Sequence, residues 1–144
     1  MNFSSLRNRL ESKIERDRPL ERRLEAVSKT LWPWSESKLI RYVILIAALD
    51  YLSTYAFLRV SSHSYLIEGG PIAGWALQTG GFARLFLVDA AAVLSLIFLA
   101  VGLRSLYTRW GFRGFGRSAF IFLLIPYFVV TLAVVYNNVL LAFL

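Results

Sequence analysis

Three carboxylates stand out in a chain that uses little charge. Asp50 lies in the middle of an apolar run, residues 40–60, IRYVILIAALDYLSTYAFLRV. Asp89 lies in a second, residues 82–101, FARLFLVDAAAVLSLIFLAV. Glu68 follows the first run, in Glu68-Gly69-Gly70-Pro71, with His63 a few residues earlier. Carboxylates with an imidazole can bind a cation. Two acids brought together can share a proton, as in proton relays and aspartyl chemistry. Neither aspartate follows Gly-x-Gly, however, and the chain has no Gly-x-Ser-x-Gly and no His-Glu-x-x-His. With Cys 0 and His 1, thiol chemistry and two-histidine metal motifs are excluded. No catalytic, cofactor-binding or metal-ligating residue is therefore assigned.

The neighbours of the acids favour hydrogen bonding between helices. Thr54 is one helical turn beyond Asp50. Tyr127, Thr131, Val134 and Asn138 follow spacings of four, three and four, which is one stripe of a helix. Asn137 adjoins its end. Ala90, Ala91, Ala92 and Ser95 around Asp89 permit close helix approach. An acid at mid-bilayer costs about 2.5–3.5 kcal/mol on insertion scales, so each needs a reason. Asp50 is about 15 Å from either end of its run and Asp89 about 12 Å from the outer end of its own. Asp50, Thr54, Asp89, Thr131 and Asn138 are expected to form one polar cluster, with Asn137 as the alternative amide and Glu68 closing it from outside. Arg59 and Arg84 are the candidate charge partners.

The elements that must position these residues are membrane helices. Of 144 residues, 57% are hydrophobic and 17% charged, against about 45–50% apolar in an ordinary soluble domain. A chain of this size could not bury so much apolar surface as a soluble monomer. A crossing helix needs about 20 apolar residues. Residues 40–60, 82–101 and the uncharged stretch 118–144 each qualify, and Pro126 should bend the third. The fold class is all-α, an integral membrane protein with three transmembrane helices. Residues 1–38 form a cytoplasmic arm and residues 39–144 the membrane domain.

Charge orients the crossings. Residues 1–41 hold ten Lys or Arg and six Asp or Glu. Loop 102–117 carries Arg104, Arg109, Arg113 and Arg117, whereas loop 61–81 has no Lys or Arg. Positive-inside logic makes the N-terminus cytoplasmic and the C-terminus extracytoplasmic, in the cell membrane. The first apolar run is too long and too far along the chain for a cleavable signal, so it is read as a permanent anchor. In the outer loop, Pro71 can begin and Gly80-Gly81 can end a short interfacial or re-entrant helix.

In the arm, Phe3, Leu6, Leu10 and Ile14 repeat at helical spacing, and so do Leu20, Leu24, Val27 and Leu31. Asp17-Arg18-Pro19 should separate two amphipathic helices. The arm either lies on anionic headgroups or docks a partner. Trp32, Trp34, Trp75 and Trp110 are read as interfacial, and Ser35 as the cap of the first crossing. Residues 109–117 interleave arginine, glycine and aromatics. That mixture can bind nucleic acid, but between two crossings it suits headgroups, and no nucleic-acid partner is expected.

Leu49-Asp50, Thr54, Glu68-x-x-Pro71, a mid-membrane charge and a late Asn137 or Asn138 resemble a prokaryotic family of small polytopic membrane proteins. That family carries Asp-x-x-x-Thr followed by Glu-x-Asn-Pro and is known as a domain of unknown function. The resemblance covers about residues 40–144. It implies an intramembrane polar site and supplies no enzyme activity. Gly70 stands in place of the motif's Asn, and Asp89 in place of a Lys, with Arg84 the substitute cation. The expected function is a non-enzymatic accessory or scaffolding subunit, in a homo-oligomer or larger complex. A cation- or proton-binding membrane protein is the alternative, and an intramembrane hydrolase the third.

Overall fold

The computed structural model describes residues 3–60 and 71–143. The described residues are almost wholly helical: α1 Phe3–Leu31, α2 Glu36–Val60, α3 Pro71–Arg109 and α4 Arg113–Phe143. Three of these, α2, α3 and α4, are long and apolar enough to cross a membrane. The chain is an all-α membrane protein.

Local chemistry sets the ends of the helices. Ser35 occupies the cap position of α2, its carbonyl accepting from the N–H groups of Lys38 (3.1 Å) and Leu39 (3.4 Å). Within α3 the backbone breaks at Gly81 (φ 62, ψ −159), a conformation in which a side chain would be strained. The ten residues before this elbow form the short helix expected in the outer loop. Residues 102–117 were expected to form a loop, but α3 runs on to Arg109 and α4 begins at Arg113. Gly111, at φ 84, makes the turn. The Phe112 N–H reaches the Tyr107 carbonyl at 2.9 Å and the Gly111 N–H that of Thr108 at 3.1 Å. This is a Schellman closure, which satisfies the last carbonyls of α3 without a long loop.

The arm also differs from expectation. It is one helix, with Pro19 inside it rather than between two. Proline removes one backbone donor, yet long runs of Glu, Arg and Leu on both sides favour helix and carry it through. The side chains of Phe3, Leu6, Leu10 and Ile14 lie outside the described residues.

α4 is the hub. α2 and α3 each pack extensively on α4 and much less on each other, and among the described helices α1 packs only on α4. The core concentrates toward the arginine-bearing end, where Leu39, Val43, Ala100, Phe120, Ile121 and Leu124 are buried. There Gly116 brings α4 against α3: a Cβ on it would stand 2.9 Å from the Arg104 carbonyl oxygen. Most large apolar side chains point outward instead, Phe98 being 84% exposed, as lipid-facing residues must.

Candidate functional site

The two aspartates sit on neighbouring spans, Asp50 on α2 and Asp89 on α3. Tyr51, next to Asp50, packs edge-on against Phe86, three residues before Asp89, with ring centroids 5.3 Å apart. Tyr51 also donates to the Phe82 carbonyl at 3.2 Å. Asp50 and Asp89 thus lie at similar depth on α2 and α3. Both are half-buried. Thr131, one turn beyond Tyr127 on α4, is buried beside it.

Hydrogen bonding does not unite this group as a single network. One turn outward, Asn138 donates to Thr54 (3.1 Å) and to Ser53 (3.3 Å), tying α4 to α2. Ser53 in turn donates to the Asp50 backbone carbonyl. No hydrogen bond or ion pair among the described residues reaches either aspartate side chain, and Asp50 Oδ1 is buried without a partner. Asn137 is exposed, so Asn138 alone is the inward amide. Arg84 does not serve the acids: its guanidinium lies 4.6 Å from the Trp75 ring centre, across the Gly81 elbow. Glu68, His63 and the side chain of Arg59 lie outside the described residues.

Because α2 and α3 barely touch, a cleft of about 240 Å³ opens between them. Ala47, Ala48 and Ala90 share its walls with Ile44, Val93 and Leu94, Tyr51 and Phe86 close one end, and its surface is almost wholly apolar although Asp89 is among the residues that line it. Small residues flanking a polar group are what a close helix–helix contact in lipid requires. Asp50 does not line the cleft, and its Oδ1 is buried.

A second polar centre lies at the arginine end, where the charge pattern alone points to headgroups. Glu36, in the first turn of α2, accepts from Arg104 Nε of α3 and stands 3.7 Å from Arg117 Nη1 of α4. Arg104 also donates to Thr108 (2.8 Å), and Arg117 to the Trp32 carbonyl (2.8 Å). Glu21 of α1 accepts from the Gly114 N–H at 2.8 Å, capping α4. Trp32 is 6% exposed, its indole donating to the Ser35 carbonyl and its ring packed edge-on against Trp34 and Tyr42. It is therefore a buried plug and not part of an interfacial belt, whereas Trp34, Trp75 and Trp110 are more than half exposed. The only sequence signal for this centre was an acid at the start of a span whose opposite loop is rich in arginine.

Among the described residues no group of His, Cys, Asp and Glu is arranged to hold a metal ion. No family model, curated protein or solved structure matches the chain.

Proposed function

We propose that this chain is a non-enzymatic accessory or scaffolding subunit of a larger membrane assembly. A transmembrane segment of a partner, or of a second copy, fills the α2–α3 cleft and supplies donors to Asp89. The observation that carries this reading is the cleft itself: an open, almost wholly apolar furrow between two spans, lined in part by three alanines and by the half-buried Asp89, which accepts no hydrogen bond from a described residue. An acid left so is costly, and a packed helix with a donor relieves that cost. The arginine-rich end is assigned to the cytoplasm and the C-terminus to the outside, in the cell membrane, on the bias of positive charge.

A cation- or proton-binding role is the second reading. Asp50 and Asp89 at one depth, neither neutralised by a described arginine, favour it.

The test is the mass of the full chain extracted in mild detergent. A species heavier than one chain is expected. Asp89→Asn, which keeps hydrogen-bonding capacity, should preserve it, and Asp89→Leu should dissociate it. A well-behaved monomer for the unaltered chain overturns the subunit reading. Under the second reading Asp89→Asn instead abolishes cation binding or flux with the assembly intact.

A further inference from the structure

A second groove lies between α2 and α3, nearer the arginine end, and encloses about 380 Å³. Its rim is polar: Glu36 and Ser37 from α2, and Arg104, Ser105, Thr108 and Arg109 from α3. Its floor is apolar, made by Ile40, Val101 and Phe120. The rim sits where α2 begins and α3 ends, the level at which a spanning helix meets headgroups.

Its charges are unevenly committed. Glu36 is already held by Arg104 and approached by Arg117. Arg104 is fixed further by Thr108, whose hydroxyl donates back to the Arg104 carbonyl at 2.7 Å. Arg109 is exposed and pairs with no acid among the described residues. Ser37 and Ser105, on different helices, are exposed on the same groove. A surplus guanidinium with two hydroxyls suits a phosphate group. A free anion has no use for an apolar floor, but a phosphodiester carrying acyl chains does. Basic pockets between spans bind anionic headgroups in this way.

We propose that this groove binds one anionic phospholipid. Its phosphate takes Arg109 and the Ser37 and Ser105 hydroxyls, and an acyl chain lies along Ile40, Val101 and Phe120. The inference rests on none of the readings of Asp50 and Asp89.

The experiment is native mass spectrometry of the delipidated full chain, titrated with phosphatidylglycerol or with phosphatidylcholine of the same chains. One phosphatidylglycerol per chain is expected, bound about tenfold more tightly than phosphatidylcholine. Arg109→Gln combined with Ser105→Leu should erase that preference. Both sites are exposed, and an unchanged thermal melt verifies the fold. Arg23→Gln, an exposed arginine of α1, should leave the preference intact. Equal binding of the two lipids overturns the proposal. So does a loss with Arg23→Gln as large as with the Arg109→Gln, Ser105→Leu pair, which means a diffuse basic surface. Full displacement of the lipid by excess inorganic phosphate also overturns it, since the site then takes the free anion.

Discussion

Glu36 and Asp50 are both acids on α2, and their surroundings give them opposite roles. Glu36 has two arginines from two other helices and holds the bundle's arginine end together. Glu36→Gln removes the charge that lets Arg104 and Arg117 lie side by side. The pair is partly exposed, so the expected loss is about 2 kcal/mol and not the full cost of breaking a buried pair. A lower thermal midpoint in detergent checks it. Asp50 accepts no hydrogen bond from a described residue. Asp50→Asn should therefore cost no stability and should raise it, because it removes a charge that no described residue neutralises inside the membrane. The same melt measures this, and a large loss would reveal a hidden partner of the carboxylate.

At the scale of elements, α1 is a helix with three sectors. Glu21, Leu24 and Ser28 turn toward α4, with Ser28 fully buried. The neighbouring sector is apolar yet open: Leu20, Val27 and Leu31 are 53%, 47% and 46% exposed. Arg18, Arg22 and Lys29 take the remaining side. Periodicity located the apolar stripe, but the face that docks is the one beside it. The reason lies at the other helix. Gly114 admits the arm because it has no Cβ: one placed there would stand 2.6 Å from Glu21 Cγ and 3.0 Å from the Glu21 carbonyl oxygen. Gly114→Ala should lift α1 from α4, at a cost of about 1–3 kcal/mol for overpacking. Faster tryptic cleavage within residues 15–31, with the spans still protected, is the expected readout.

On the scale of the whole molecule, two spans and the arm share one hub helix, α4, which leaves the bundle tight at one end and open between α2 and α3. The apolar runs, the Gly81 break and the Ser35 start were all legible, because each depends on local composition or on a backbone conformation that few residues tolerate. The tie between Glu36, Arg104 and Arg117 was not. Its members are 68 and 81 positions apart, and an arginine beside a membrane serves a headgroup or a carboxylate equally well on paper. The orientation of the whole bundle has its own test. The chain has Cys 0, so single cysteines report cleanly. Arg23→Cys and Arg113→Cys should react with an impermeant maleimide from the same side of sealed vesicles, and His63→Cys from the other.

Composition and hydropathy by themselves determined that this chain lives in a membrane, how many times it crosses, and that two acids lie within the crossings. These follow from the cost of transferring side chains and unpaired backbone groups into hydrocarbon, which is a property of each segment alone. Only the tertiary structure decided which polar residues meet: Asn138 and not Asn137 reaches Thr54, Arg84 goes to Trp75, and Glu36 holds Arg104. In lipid an apolar face gives no preference for protein over acyl chains, so helix rotation is set by close packing at small residues and by long-range hydrogen bonds. Neither is written in the periodicity of any single helix.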